Sequence, residues 1–208
     1  MKTTVNVTRT TTESNMKVAC DFSCLASDYR KKINTPYPFL NHMIEHIAYR
    51  AGITVETDVQ LNTFVLSHVV FEDLGIAFGK ALKTYVAENA ACGVTGFGDG
   101  VGIIDEAYAE AAISFEDRAY FHFENSVGTL SETTEGVATE DLFVFLEGVA
   151  QGAQATLHIN LRKGTNMHHI FEAIYRAFGI CLKRALFCDE TRIGLTSGVA
   201  GKIDFIVE

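Results

Sequence analysis

The chain has 208 residues, of which 48% are hydrophobic and 21% are charged, and these values are typical of one globular domain with a sizeable core. It contains no run of 18 or more apolar residues, so we expect no membrane span. Seventeen basic against 26 acidic side chains give a net charge of −9, which disfavours nucleic acid and anionic lipid as partners. We expect a small ligand or another protein chain instead.

The N-terminal segment, residues 1–15, lacks the apolar stretch of a secretory signal and predicts strands, so we expect a cytoplasmic protein. The chain has five cysteines, Cys20, Cys24, Cys92, Cys181 and Cys188. They have neither zinc-knuckle nor redox spacing, and their odd number argues against a disulfide framework. We interpret them as reduced and mostly buried packing residues.

Two long helices are predicted in the first half. Residues 39–52 (FLNHMIEHIAYRAG) have a helical apolar period, and Pro36 and Pro38 fix the start of this helix. His42 and His46 lie one turn apart on it. After a predicted strand, residues 68–83 (HVVFEDLGIAFGKALK) again place apolar side chains at i, i+3 and i+4, so one face of this second helix is core.

The second half begins with strands. Residues 107–115 and 118–127 alternate in polarity, and we predict that a turn at Glu116 and Asp117 joins them. Residues 127–137 are polar and predict a loop. A helical period follows at residues 141–153 (DLFVFLEGVAQGA), with Thr139 as a plausible N-cap.

The two halves are related by an internal repeat. A shift of one hundred residues aligns 68–83 with 168–183, and half of the sixteen positions are identical. Upstream, residues 47–59 resemble 149–161 in apolar pattern after a shift of two more residues, so each half is predicted as helix, strand, loop, helix. We therefore expect an α+β fold of two duplicated halves, a mixed sheet with helices packed on one face. It would form a single domain over 1–208, divided roughly into 1–95 and 96–208.

Each repeated helix carries a histidine and a glutamate on one face. His68 with Glu72, and His168 with Glu172, have the i, i+4 spacing that brings side chains together. Imidazole and carboxylate suit manganese, iron or zinc rather than calcium. One such pair is more often a solvated helix contact, but the repeat retains the polar residues together with the core positions, and this favours a metal site.

Other polar residues are open to two interpretations. His42 and His46 suit a helix surface as well as a ligand set, and for His158 an outward strand position is favoured over ligand binding. His122 is interpreted as structural. Further polar candidates are Glu13, Asp105, Glu106, Arg118 and Arg176. The loop 164–166 could bring its backbone close to a ligand.

Several motifs together identify a family. They are RTTTES (9–14), FLNHMIEH (39–46), HVVFED (68–73), GFGDG (96–100), IDEAYAE (104–110), EDRAYF (116–121), LHINLRKGTNMHHIFEA (157–173) and LTSG (195–198). With these motifs the chain resembles the imidazoleglycerol-phosphate dehydratases, lyases of histidine biosynthesis, over nearly its whole length. The resemblance implies halves similar to domain 2 of ribosomal protein S5, a phosphorylated imidazole substrate, and a homo-oligomer of 24 chains with sites between subunits. It also implies Mn²⁺, one or two ions per site, with Zn²⁺ or Fe²⁺ as alternatives.

The resemblance also implies a set of metal ligands. His68, Glu72 and His168 match three of the four protein ligands of one metal. His42, His169 and Glu172 match three of the four ligands of the other. The two missing histidines of the family fall at Val69 and Val144, which cannot coordinate a metal. His46 stands where the family usually has glutamine, one helical turn from His42, and could compensate.

The substrate pocket implied by the resemblance is altered too. The candidate substrate-binding residues are His46, Arg50, Arg118, Arg176 and Ser197, and the candidates for proton transfer are Glu172 and Glu13. Two cations of the family are absent, because its arginine and its C-terminal lysine fall at Gly96 and Gly198. Each charged contact to a phosphate is worth about 1.5–3 kcal/mol, so a changed substrate is a serious alternative.

Three functions therefore stay open from the sequence. The first is metal-dependent dehydration of imidazole glycerol phosphate to imidazole acetol phosphate. The second is that of a diverged paralogue acting on a different small substrate with one metal. The third is that of a non-catalytic, metal-binding assembly protein.

Overall fold

The computed structural model describes residues 1–201, 203 and 206. The strands β1 to β9 are Thr4–Thr10, Ser14–Asp21, Thr54–Leu61, Phe97–Ile104, Ala107–Ser114, Tyr120–Asn125, Thr133–Thr134, Val137–Ala138 and Thr156–Lys163. The helices α1 to α5 are Tyr29–Lys32, Pro38–Ala51, Ser67–Glu88, Thr139–Ala153 and Met167–Ala185. In this described part of the chain, every helix is too short or too polar to cross a bilayer.

Two main sheets flank the helices. The first is antiparallel, in the order β1-β2-β3, and the second has the order β4-β5-β9-β6. The second sheet is mixed, because β6 runs parallel to β9 while the other neighbours are antiparallel. Helix α3 packs on β1 and β2, and helix α5 packs on β4 and β5. The predicted α+β fold class is confirmed.

The internal repeat is visible in the order of the elements. Apart from α1 in the first half and β6, β7 and β8 in the second, a hairpin, a helix, a strand and a long helix occur in the order β1-β2-α2-β3-α3 and again as β4-β5-α4-β9-α5. The predicted helix, strand, loop, helix of each half is therefore confirmed. Helices of one half pack against helices of the other, α2 against α5 and α3 against α4. We call these the α2–α5 pair and the α3–α4 pair.

The two halves cover the outer edge of their last strand in different ways. In the second half, β6 pairs with β9 through the backbone. In the first half, the segment 24–34 runs beside β3, and the backbone N–H groups of Ala26 and Asn34 each donate to a threonine hydroxyl of β3 at 2.8 Å. The edge of β3 is thus covered through the side chains of Thr54 and Thr57, which limits pairing with other chains.

The helix ends explain why the site helices begin where they do. Pro38 lies in the first turn of α2, as predicted. Asn166 caps α5, because its side chain accepts a hydrogen bond from the backbone N–H of His168 at 2.9 Å. The predicted N-cap Thr139 is wrong, since Thr139 is the first residue of α4. Its hydroxyl instead bonds the hydroxyl of Thr134 at 2.8 Å, because the β7–β8 hairpin brings the two together.

Three sequence expectations change in detail. Strands β5 and β6 form as predicted, with Asp117 in the left-handed region at φ 59°, but they do not pair because β9 lies between them. The predicted polar loop at 127–137 contains the short strand β7 and the first residue of β8. All five cysteines are free, but the expectation that most are buried is wrong, since only Cys20 and Cys181 are. Of the other three, Cys92 ends the short 3-10 helix Ala90–Cys92, and Cys24 and Cys188 lie in connecting segments.

Candidate metal centre

The α2–α5 pair brings histidine and glutamate side chains from both helices together. Helix α2 supplies His42 and His46, and α5 supplies His168 and Glu172. The four-residue spacing on each helix puts both of its side chains on the face turned to the other helix. We call these four residues the His/Glu cluster.

Glu172 lies at the centre of the cluster. Its Oε1 atom lies 2.9 Å from Nε2 of His42, 3.1 Å from Nε2 of His46 and 3.4 Å from Nε2 of His168. Its Oε2 atom accepts from the guanidinium of Arg176 at 2.7 Å. Burial raises the pKa of Glu172, but the hydrogen bond from His42, His46 and the charge of Arg176 outweigh it and lower the pKa to about 2. Glu172 is therefore a carboxylate at neutral pH.

The imidazoles around Glu172 are suited to binding a cation. Burial, and then the neighbouring His42, lower the pKa of His46. His46 is therefore neutral at pH 7 and has a nitrogen lone pair to offer. The rings of His42 and His46 meet edge to face with their centroids 4.5 Å apart, and His168 lies 5.5 Å from His42 by the same measure.

The spacing of the ligand atoms fits one divalent cation. One ligand atom each from His42, His168 and Glu172 lie within 4.8 Å of one another. With metal–ligand bonds of about 2.1 Å, neighbouring ligands are about 3.0 Å apart at right angles and about 3.4 Å apart at the tetrahedral angle. Two imidazoles and a carboxylate suit Mn²⁺, Fe²⁺ or Zn²⁺.

His169 points away from the cluster within one chain. Its Nδ1 lies 2.9 Å from Oε2 of Glu106, and its Nε2 lies 3.7 Å from Asp105. Glu106 also accepts the backbone N–H of Asn166 at 2.8 Å. These hydrogen bonds, of which the one from the Asn166 backbone has the largest effect, lower the pKa of Glu106 to about 2. Glu106 in turn raises the pKa of His169. The backbone of the loop 164–166 thus binds Glu106.

The equivalent residues of the first repeat lie on the α3–α4 pair and form no comparable group. The side chain of His68 is 60% exposed, and its Nδ1 lies 3.5 Å from Oδ1 of the buried Asp141. The other oxygen of Asp141, Oδ2, is buried with no hydrogen-bond partner. Glu72 is partly buried. Helix α4 passes close to its backbone, so that a Cβ on Gly148 would lie only 2.7 Å from the Glu72 carbonyl oxygen.

The other predicted site residues are dispersed in the single chain. Glu13 is exposed in the β1–β2 turn, where its N–H donates to Thr11 at 3.1 Å. Arg50 borders an open groove with Lys183 and Arg184. Arg118 is exposed beside β9. Ser197 lines a different pocket, together with Asp117. Among the predicted substrate-binding residues, His46 and Arg176 contact Glu172.

Comparison with known proteins decides the family. The family model described as imidazoleglycerol-phosphate dehydratase matches residues 35–182. The chain belongs to the imidazoleglycerol-phosphate dehydratase family. The Burkholderia vietnamiensis relative of that name is 31% identical over 198 residues, 95% of this chain and 97% of the relative. The Ralstonia pickettii relative is 29% identical over 204 residues, 98% of this chain and all of the relative.

Solved structures of the imidazoleglycerol-phosphate dehydratase family support the same fold. The Staphylococcus aureus structure has a TM-score of 0.75 at 26% identity, covering 89% of this chain and 99% of that one. The Pyrococcus furiosus structure has a TM-score of 0.77 at 27% identity, covering 94% and 99%. The predicted family is confirmed, and membership makes this chain a hydro-lyase of histidine biosynthesis.

Two acidic residues beside predicted site histidines were missed in the sequence. Glu45 lies 3.5 Å from Nδ1 of His42 and pairs with Arg30 at 2.6 Å. A carboxylate on the second ring nitrogen fixes the orientation of an imidazole ligand. The i, i+3 spacing of His42 and Glu45 could have revealed this contact. Asp141 gave no such signal, because its partner His68 lies far away in the sequence and on another helix.

Proposed function

We propose that this member of the family dehydrates imidazole glycerol phosphate to imidazole acetol phosphate, with one divalent cation held by His42, His168 and Glu172. The observation that carries the proposal is the buried, ionised Glu172 surrounded by imidazoles. Manganese is the cation we propose, with Zn²⁺ or Fe²⁺ as alternatives that suit the same ligands.

The chemistry requires a proton to leave carbon and a hydroxyl group to leave the neighbouring carbon. A bound cation would stabilise the negative charge that develops on the substrate imidazole. Arg176 holds one oxygen of Glu172 and His42 holds the other, so the carboxylate is oriented before substrate arrives. We propose that Glu172 and Glu13 transfer protons. Because Glu13 makes no described contact with the cluster, we propose that a neighbouring subunit supplies it.

Substrate binding is proposed to involve Arg176 within the chain and Arg50, Arg118 and Ser197 around the assembled site. Arg176 lies beside Glu172 and so can reach an anionic substrate. Gly96 and Gly198 supply no charge at the positions where the resemblance implies an arginine and a lysine. We therefore expect a raised KM for the phosphate ester rather than a change of chemistry.

Assembly into a homo-oligomer, of 24 chains by the resemblance, is part of the proposal. Apolar side chains are exposed on the outer face of β4, with Phe97 55%, Val101 46% and Ile103 64% accessible, and in the loop 64–66 before α3. Patches of this kind mark protein interfaces.

Each subunit would be one domain of two halves meeting near residue 95. Free cysteines support a cytoplasmic location.

The test is a dehydration assay on the full-length chain with imidazole glycerol phosphate and Mn²⁺. We expect imidazole acetol phosphate to form, activity to be lost after chelation, and activity to return when Mn²⁺ is added. Light scattering on the same sample measures the mass of the assembly. A manganese-loaded protein that turns over a different imidazole alcohol, and not this phosphate ester, would contradict the proposed substrate.

A further inference from the structure

We infer that Asp73 is a positioning residue, which fixes the turn between β1 and β2 so that the Glu13 side chain of this turn can enter the site of a neighbouring subunit. The inference rests on the proposed function for the role of Glu13 in proton transfer. It adds the part of the molecule that holds Glu13 in place, and it assigns a task to a buried carboxylate outside the His/Glu cluster.

Both oxygens of the Asp73 carboxylate bind residues that flank the turn. Oδ1 lies 2.7 Å from the guanidinium of Arg9, near the end of β1. Oδ2 accepts a hydrogen bond from the hydroxyl of Ser14, the first residue of β2. Asp73 is 4% exposed and Ser14 is fully buried. One carboxylate on α3 therefore ties both strands of the hairpin to the same point of the helix.

Further hydrogen bonds hold the backbone of the turn. The Thr11 hydroxyl accepts the N–H groups of Glu13 at 3.1 Å and of Ser14 at 3.0 Å. Asn62, just after β3, donates its backbone N–H to the carbonyl oxygen of Glu13 at 2.8 Å and its side-chain amide to the carbonyl oxygen of Thr12 at 3.0 Å. Glu13 is exposed. The turn is thus fixed in its backbone and presents a carboxylate outward.

The second half shows that the fold does not require the polar contact of Asp73. Ala173 is the equivalent residue in the repeat, and Ala107 begins β5 as Ser14 begins β2. Both alanines are buried, so the same two positions are apolar there. Replacing a buried ion pair by apolar side chains is often neutral for stability. The polar contact of the first half therefore points to a task other than stability.

The two hairpins differ in what holds their glutamates. Glu13 and Glu106 each directly precede the second strand of their hairpin. Oε2 of Glu106 lies 2.9 Å from Nδ1 of His169 in the same chain. The first half has Val69 at the position equivalent to His169, and a valine offers Glu13 no such partner. Glu106 is thus held through its own side chain, whereas Glu13 depends on the anchoring of its turn.

The experiment removes the anchoring contact and asks whether the loss acts through Glu13. Ser14→Ala deletes the hydroxyl and installs the residue of the second half, while Ser14→Thr retains the hydroxyl. We expect kcat for imidazole glycerol phosphate to fall about 10- to 100-fold in Ser14→Ala, with KM and Mn²⁺ affinity unchanged, and to recover in Ser14→Thr. In a Glu13→Gln background, Ser14→Ala should cause no further fall.

The control variant is Ser23→Ala. It also removes a serine hydroxyl that donates to a carboxylate, that of Asp21 at 2.6 Å, but on the surface, and it should leave kcat unchanged. A second measurement does not depend on turnover. Hydrogen–deuterium exchange of residues 9–16 should become about 10-fold faster in Ser14→Ala and in Asp73→Asn, and should not change in Ser23→Ala.

Three outcomes would overturn the inference: unchanged kcat in Ser14→Ala, unchanged hydrogen exchange in Ser14→Ala, or an equal fall in kcat with and without Glu13→Gln. In the last case the contact would act on the protein as a whole. Failure of the proposed function looks different. Faster exchange in Ser14→Ala, combined with a wild type that does not turn over this substrate, would support the anchoring of the turn and contradict the proposed reaction.

Discussion

The α2–α5 and α3–α4 pairs are equivalent in the repeat but opposite in character. A shift of 100 residues relates α3 to α5, and a shift of 102 relates α2 to α4. The equivalent positions are His42 and Val144, His46 and Gly148, Glu172 and Glu72, and Arg176 and Ile76. One pair therefore joins imidazoles to a buried carboxylate, while the other has lost three of these four polar side chains.

The distance between the helices explains the difference. In the α3–α4 pair, a Cβ on Gly75 or Gly79 would overlap a carbonyl oxygen of α4, and one on Gly152 would overlap the carbonyl oxygen of Ile76 on α3. In the α2–α5 pair, a Cβ on Gly179 would lie 2.8 Å from the Cβ of Arg50 and 2.9 Å from a carbonyl oxygen of α2. Close backbone contact leaves no room for a cation between α3 and α4. The α3–α4 pair packs more closely, and the α2–α5 pair leaves room for the His/Glu cluster.

The largest effect is expected from the two equivalent glutamates. Glu172→Gln removes the central carboxylate, and we expect turnover to fall about 10²- to 10⁴-fold because the proposed proton transfer and cation binding both depend on it. Glu72→Gln is the matched variant, and we expect turnover within about 10-fold of the wild type. Steady-state assays at saturating Mn²⁺ measure both. Equal losses would mean that both helix pairs take part in catalysis.

The second prediction compares the equivalent glycines Gly79 and Gly179. Gly79→Ala forces a methyl group into the carbonyl oxygen of Val149, and we expect a loss of roughly 1–3 kcal/mol in the free energy of unfolding. Gly179→Ala meets atoms at 2.8 Å or more, so its loss should be smaller. Urea denaturation of both variants measures the difference. A larger loss at Gly179 would contradict the closer packing of the α3–α4 pair.

The sequence predicts the local elements of the fold better than the contacts that build the site. The main helices and strands follow from local periodicity and the repeat from aligning the chain with itself, and they are confirmed. The sequence does not predict whether His168 or His169 is the neighbour of His42. Adjacent helical residues point about 100° apart, and the position of α2 decides which of the two faces His42. The insertion of β9 between β5 and β6, and the burial of Asp141 beside His68, likewise depend on contacts between distant segments.

A smaller effect is expected in the acid stability of the cluster. The pKa of Glu172 is lowered to about 2, from 4.5, so its ionised form stabilises the fold above pH 4.5, and this contribution is lost as the pH falls towards 2. Glu172→Gln should therefore lose less stability than the wild type between pH 4.5 and pH 2. Urea midpoints across this range measure it, with Glu72→Gln as control. Parallel curves for the wild type and Glu172→Gln would contradict the lowered pKa.

The smallest effect is expected from restoring a histidine to the α3–α4 pair. Val144→His gives α4 an imidazole at the position equivalent to His42. Because Gly148 and Gly152 hold α4 against the backbone of α3, we expect metal content to stay at one ion per chain by elemental analysis. A rise to two ions would show that side chains alone, and not the helix spacing, distinguish the two pairs.

The contact between His42 and Glu172 spans 130 residues of the chain. A ribosome must therefore release both halves, and they must dock, before the carboxylate meets its imidazoles. Contacts this distant in sequence are among the slowest to form, because a long loop has to close first. Manganese uptake would thus report completed synthesis and folding, and a truncated or half-docked chain would not retain the ion.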